Sequence, residues 1–122
     1  EPEPDPARIA RCAQAACIHD EVMAWPLGYA TPLVAAGRSI SAGQAQRIAL
    51  ARLLYSAPAV MLLDEFTSDI DAGTERRMVE NLRAWPGMKI VVTHRTSWVT
   101  AADRVIPLDA RPAPERIDER QL

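Results

Sequence analysis

Polar side chains follow two short apolar runs of this chain, where strands of a parallel sheet would end. Asp64 and Glu65 come directly after the apolar run 59–63, and His94 closely follows the run 88–92. Because the carboxyl ends of parallel strands share one edge of a sheet, we expect these groups to meet there. Carboxylate oxygens suit magnesium, so Asp64 is a candidate metal ligand, and Glu65 is placed to orient or deprotonate a water molecule. Taken alone, two solvated acids at a strand end would be the commoner interpretation.

A second candidate site lies at a predicted helix start. Ser41, Ala42, Gly43 and Gln44 fit a capping box, in which Ser41 caps the helix and Gln44 reaches back to it. The first amides of such a helix point outward and its dipole favours negative charge, so this start suits a phosphate group. Gly43 would also let another group approach the backbone closely. Most capping boxes only begin helices, so the residues that follow decide the meaning of this one.

These groups need elements that hold them in place, and the pattern predicts an α/β fold. A Pro-rich lead is followed by one or two helices over 7–24, a loop over 25–37 and a helix from 41 to about 55. A strand over 59–63 with both faces buried, a helix capped by Asp71, and a strand over 88–92 come next. A third strand is predicted at 104–108, at the margin of the sheet because Pro107 lacks a ladder donor.

The predicted core follows the periodicity of these helices. The candidate buried side chains are Ile9, Cys12, Ala16, Val22 and Met23 in the first helices, Ala45, Ile48, Ala51 and Tyr55 in the next, and Met78, Val79, Leu82 and Trp85 in the last.

Composition excludes several classes of function. The 122 residues are 48% hydrophobic, which suits one folded domain, and the net charge of -2 argues against nucleic acid as a partner. The most apolar stretch is broken by Pro26, Gly28 and Pro32, so no transmembrane anchor is predicted. Cys12 and Cys17 lack enough further ligands for a zinc site and are interpreted as small buried thiols. The chain does not begin with Met, so a piece of a longer protein is expected.

The residues 40–52, Ile-Ser-Ala-Gly-Gln-Ala-Gln-Arg-Ile-Ala-Leu-Ala-Arg, closely resemble the signature helix of ATP-binding cassette (ABC) proteins. The run 60–65, Val-Met-Leu-Leu-Asp-Glu, looks like their Walker B strand, and Ser68 to Asp71 is similar to their D-loop. His94 resembles the switch histidine, which contacts the γ-phosphate. Signature, Walker B and histidine stand in the family's order, with 23 positions from Ser41 to Asp64 and 30 from Asp64 to His94.

The loop Trp-Pro-Leu-Gly-Tyr-Ala-Thr at 25–31 resembles the one that precedes the signature in exporters. The resemblance covers about residues 8–108. It implies a helical subdomain at 7–57 and half of a RecA-like P-loop NTPase core at 58–109, between a lead at 1–6 and a loose tail at 110–122.

The resemblance also implies ATP and Mg²⁺ as cofactors. Asp64 would serve the metal, Glu65 and His94 catalysis, and Ser41, Ala42, Gly43, Gln44, Ser68 and Asp71 the nucleotide. The implied partners are a second cassette and a transmembrane domain, at the cytoplasmic face of a membrane.

This sequence departs from the family's pattern in several places. It contains no G-x-x-x-x-G-K-[ST], the P-loop that cradles phosphates, so the chain alone is expected to be inactive. Ala42 replaces a usual glycine, Phe66 a usual small residue or proline, and Asp69 a usual apolar residue. Two alternatives stay open: the C-terminal lobe of a chromosome-maintenance or repair ATPase, against which the absence of a heptad run before Ser41 argues, and a degenerate cassette kept as a binding partner.

Overall fold

A computed structural model describes residues 3–33 and 40–108. It confirms the alternation of helices and parallel strands. The elements are α1 (Pro6–Ala15), α2 (His19–Ala24), a 3₁₀ turn (Gly28–Ala30), α3 (Ala42–Ser56), β1 (Val60–Asp64), α4 (Ala72–Ala84), β2 (Met88–Val92) and α5 (Thr96–Ala101).

Side chains cap the three longest helices. The Asp5 carboxylate accepts hydrogen bonds from the amides of Ala7 and Arg8 at the start of α1. The predicted capping box is present at α3, and Asp71 accepts from the Thr74 amide at the start of α4. Both predicted caps are therefore confirmed, and they fix where the helices beside the candidate site begin.

The two strands form a parallel sheet, as predicted. Val60 pairs with Met88, and the register runs without a break to Asp64 opposite Val92. Helix α4 makes the crossover between them. This topology brings the carboxyl ends of β1 and β2 to one edge.

The prediction that the first strand is buried on both faces was wrong. Met61 and Leu63 lie in the core, whereas Val60 and Leu62 on the other face are 52% and 68% exposed. Paired residues of β2 lie in the same rows as the exposed β1 residues. We call the apolar residues of this side the open sheet face, which consists of Val60, Leu62, Met88, Ile90 and Val92. Side chains alternate along a strand, so an apolar strand has an apolar row on each face. The described elements cover the row of Met61 and Leu63 and leave the other row exposed.

The third strand was also predicted wrongly. Residues 104–108 form no strand, and Val105, Ile106 and Leu108 are exposed. After β2 the chain forms α5 instead. An apolar run becomes a strand only where a neighbour supplies hydrogen bonds, and in the described residues the sheet consists of β1 and β2.

The core lies between the helices and the inner face of the sheet. It joins α1, α3, α4 and β1, as predicted for Cys12, Ala16, Val22, Met78, Val79 and Leu82. Met23 and Ala45 are exposed, so these two predictions were wrong. On α3, Leu50 and Leu54 are buried instead of Ala45. Residues 34–37 of the predicted loop and the predicted tail at 110–122 lie outside the described residues.

Two methionines allow a matched test of this core. Met78 has 0% of its surface exposed, whereas Met23 is 58% exposed. We expect Met78→Ala to lower the free energy of unfolding by about 2–5 kcal/mol, because the change leaves a cavity. Met23→Ala should change it by less than about 0.5 kcal/mol. Urea denaturation measures both variants, and equal losses would contradict the packing described.

Candidate active site

The edge at the carboxyl ends of β1 and β2 brings two of the predicted catalytic groups together. His94 Nδ1 lies 3.2 Å from Glu65 Oε1, within hydrogen-bonding distance. The two side chains remain accessible, 81% exposed for His94 and 44% for Glu65. The pair is thus oriented by its own contact while both groups stay free to meet a substrate.

Glu65 stands in an unusual backbone conformation. Its φ of 46° lies in the left-handed region, where a residue with a side chain is strained. The Glu65 amide donates to the carbonyl oxygen of Val92 at 2.8 Å, which extends the ladder by one bond beyond β1. Strain of this kind costs about 1–3 kcal/mol and is concentrated at functional sites. It turns the chain sharply just where the side chain must leave the strand.

Asp64 is the last residue of β1, and strand alternation puts it in the same row as Leu62 on the open sheet face. Its side chain is exposed, and within the described ranges its carboxylate makes no hydrogen bond or ion pair. A free carboxylate with room for water around it fits Mg²⁺, which binds through one or two carboxylates and keeps several waters. Asp64 is therefore available as the predicted metal ligand.

The start of α3 has the predicted geometry. Ser41 Oγ accepts from the Gln44 amide at 3.1 Å, and the Ser41 amide donates to Gln44 Oε1 at 2.9 Å. Ala42 and Gly43 stand in the first turn, where helix amides have no intrahelical acceptor. These amides and the positive end of the helix dipole can bind an anion.

The segment 66–71, which we call the D-loop segment, packs directly on α3. A Cβ at Gly43 would lie 2.6 Å from the carbonyl oxygen of Asp69, so only glycine fits this contact. Gln46 Nε2 donates to Ser68 Oγ at 3.0 Å and to Asp69 Oδ2 at 3.1 Å. Of the predicted nucleotide residues in this segment, Ser68 contacts α3 and Asp71 caps α4. Gly43 therefore allows a close approach to the helix backbone, and the group that approaches it is the D-loop segment of the same chain.

The sequence of this chain is similar to those of known proteins. The sequence profile described as ABC transporter matches residues 10–68. A probable microcin-H47 secretion/processing ATP-binding protein, MchF of Escherichia coli, is 35% identical over 106 residues, which are 87% of this chain and 15% of that protein. ATP-binding cassette sub-family B member 6 of Homo sapiens is 42% identical over 100 residues, 80% of this chain and 12% of that protein.

The fold is also similar to a solved structure of a bacterial Atm1-family ABC exporter with ATP bound. The TM-score is 0.69 at 34% identity, and the match covers 81% of this chain and 17% of that one. The chain belongs to the ABC transporter ATP-binding family. It spans less than a fifth of the length of the relatives that it matches.

The ABC fold of this chain contains a polar cluster between α2 and the signature helix α3 that was not predicted from the sequence. Arg47 of α3 pairs with Glu21 of α2 and also donates to the carbonyl oxygen of Cys17 at 2.7 Å. Gln44 Nε2 donates to Glu21 Oε2 at 2.9 Å, so one carboxylate holds the capping glutamine of the signature. Burial raises the pKa of Glu21, but hydrogen bonds from Arg47 and Gln44 outweigh it, so the pKa lies below its ordinary value.

Two departures of this ABC sequence have structural partners. The Phe66 ring lies 5.0 Å from the Trp98 ring, centroid to centroid, in a tilted contact. The Asp69 carboxylate accepts from Gln46, which an apolar residue there could not do. Nothing in the structure explains Ala42.

Proposed function

We propose that the chain is the C-terminal part of the ATPase domain of an ABC exporter, which hydrolyses ATP at the interface of two cassettes to drive export. One observation carries the proposal. The Glu65 and His94 side chains meet at the carboxyl edge of a parallel sheet, beside the exposed Asp64, in a chain of this family.

Each group at this edge has a distinct role in the proposal. Asp64 holds Mg²⁺, which neutralises phosphate charge when bound. Glu65 orients or deprotonates the attacking water, and His94 donates to a γ-phosphate oxygen. The contact between His94 and Glu65 holds the two side chains together at the edge where we propose that the nucleotide binds.

The signature serves the second nucleotide. Ser41, Ala42, Gly43 and Gln44 present helix amides and a hydroxyl to the ATP held by the partner cassette. Ser68 and Asp71 lie in the D-loop segment, which contacts the same helix through Gln46. In this arrangement the D-loop segment lies between the signature and the chain's own carboxylate edge.

The open sheet face supports completion of the domain by a P-loop half. Its five apolar side chains are 40–68% exposed, a cost that a covering layer would remove. Asp64 stands at the end of this face, so a layer placed there would bring phosphate-binding groups to the metal ligand. We therefore propose that the 122 residues alone do not turn over ATP.

The remaining partner in this proposal is a transmembrane domain, which places the cassette at the cytoplasmic face of a membrane. Among the described residues, none of the helices is long and apolar enough to span a bilayer. The name of the microcin relative refers to secretion and the similar solved structure is of an exporter, and export is the direction that we propose for this protein.

Mixing two defective variants tests the proposal in the full-length gene product. One variant carries Ser41→Glu, which places negative charge against phosphate, and the other carries Glu65→Gln. We expect each variant alone to be nearly inactive. Co-expressed copies that pair at random form mixed dimers about half of the time, each with one intact composite site, so about a quarter of wild-type turnover should return if the sites act independently.

Crosslinking provides an independent readout. A cysteine at Ser41 should form an ATP-dependent crosslink with a cysteine placed in the P-loop of the partner copy. No turnover by the wild-type full-length protein would favour a degenerate cassette that acts only as a binding partner. Loss of both the mixed-dimer activity and the crosslink would contradict the shared site.

A further inference from the structure

Five side chains tie the D-loop segment to the residues that follow His94. We call this group the D-loop anchor, which consists of Thr67, Glu75, Arg95, Ser97 and Trp98. It includes none of the residues to which the proposed function gives a nucleotide role. It joins the 66–71 loop, α4 and the start of α5.

Arg95 is the centre of the anchor. Its Nη1 atom donates to the Ile70 carbonyl oxygen at 3.0 Å and to Glu75 Oε2 at 2.7 Å. Its Nη2 atom donates to the Ser68 carbonyl oxygen at 3.1 Å. One guanidinium thus holds two carbonyls of the D-loop segment, and the same residue follows His94 directly in the chain.

Glu75 holds the guanidinium in place. It is 4% exposed, and Ser97 Oγ donates to its second carboxylate oxygen. Burial raises the pKa of Glu75, but hydrogen bonds from Ser97, Thr67 and Arg95 outweigh it, and the pKa lies below its ordinary value. Glu75 is therefore a charged partner for Arg95, and hydrogen bonds to both of its carboxylate oxygens restrict its orientation.

Trp98 adds a second attachment. Its Nε1 atom donates to Thr67 Oγ1 at 3.1 Å, and both residues are buried. The segment after His94 therefore forms hydrogen bonds with the D-loop segment at Thr67, Ser68 and Ile70. A shift of the histidine segment cannot occur without stretching these contacts or moving the loop.

We propose that Arg95 is a positioning residue, which links His94 to the D-loop segment through the Ser68 and Ile70 carbonyl oxygens while Glu75 orients its guanidinium. The function of this link rests on the proposed ATPase activity. Contact of His94 with the γ-phosphate is then transmitted to the loop that packs on the signature helix. Lysine cannot replace arginine here, because its single ammonium nitrogen cannot reach the same acceptors as a planar fork.

Amide hydrogen exchange in the 122-residue chain tests the anchor without any catalysis. The Ile70 amide donates to the Thr67 carbonyl oxygen, so its exchange reports on the closed loop. We expect Arg95→Lys to speed exchange at Ile70 by at least about tenfold, since two bonds from a charged donor are weakened. Exchange at the core residue Leu82, which is 1% exposed, should change much less. Arg76→Ala, on the exposed side of α4, is the matched control and should leave both amides unchanged.

Kinetics of the full-length gene product test the positioning role. Arg95→Lys should lower kcat for ATP by about tenfold with KM within about twofold, because nucleotide binding does not use Arg95. Glu75→Gln should show the same split with a smaller loss of kcat. Unchanged exchange at Ile70 in Arg95→Lys would overturn the anchor, and normal kcat with fast exchange would overturn its link to catalysis. A wild-type protein without turnover would contradict the proposed function, while the exchange experiment would still decide the anchor.

Discussion

Glu65→Gln is expected to reduce ATP turnover of the full-length protein by about 10²–10⁴-fold, the usual contribution of a positioned general base. Glutamine keeps the size of the side chain and the contact with His94, so binding of nucleotide should survive. It cannot accept a proton from water, so the variant should hold unhydrolysed ATP between closed cassettes. Glutamine should keep the left-handed backbone found at Glu65, so the experiment measures the loss of the carboxylate.

Phosphate release and retention of labelled ATP after gel filtration measure the two parts of this result. Glu80→Gln, at an exposed position of α4, is the matched control and should behave as wild type. Turnover within about twofold of wild type in the Glu65 variant would show that Glu65 is not the general base. Positioning and charge neutralisation of the phosphates would then account for the rate.

Gly43→Ala is expected to disturb the signature and the D-loop segment together. The new Cβ would lie 2.6 Å from the Asp69 carbonyl oxygen, a backbone atom, so α3 and the loop must separate. Overpacking of this kind costs about 1–3 kcal/mol. If the two cassettes use this contact when they close on ATP, turnover should fall by about 10- to 100-fold.

Gly73→Ala is the control, because its Cβ would meet only the end of the Asp71 side chain, at 3.3 Å. Urea denaturation of the 122-residue chain gives the cost in stability, and turnover of the full-length protein gives the cost in function. A Gly43→Ala protein with wild-type stability and turnover would contradict the tight contact between α3 and the D-loop segment.

The parts of the fold that depend on local rules could be predicted from the sequence. The capping box at Ser41, the cap at Asp71 and the strand 88–92 all depend on side chains within a few residues of one another. Exposure of Leu62 and the missing strand at 104–108 could not be predicted, because they depend on which other elements lie beside the strands. An apolar pattern indicates what a segment can bury and does not indicate whether a partner is present.

Only part of the candidate site could be predicted from the sequence. Glu65 and His94 follow two strands of one parallel unit, so topology alone puts them together. Arg95 and Glu75 are 20 positions apart, and each looks like an ordinary surface charge in the sequence. Their pairing results from the crossover topology, which puts the first turn of α4 and the residues after β2 at the same edge of the sheet. No short-range pattern specifies this pairing.

The open sheet face has a consequence for biosynthesis. A ribosome that makes the proposed domain releases the P-loop half first, so β1 and β2 emerge onto a surface that already exists, and their apolar row is covered as it leaves the tunnel. Starting translation within the domain would release the same row into the cytosol, where chaperones and proteases recognise it. The direction of synthesis therefore protects this half of the domain, and a start site that skips the first half should lower its cellular lifetime even though its own core is intact.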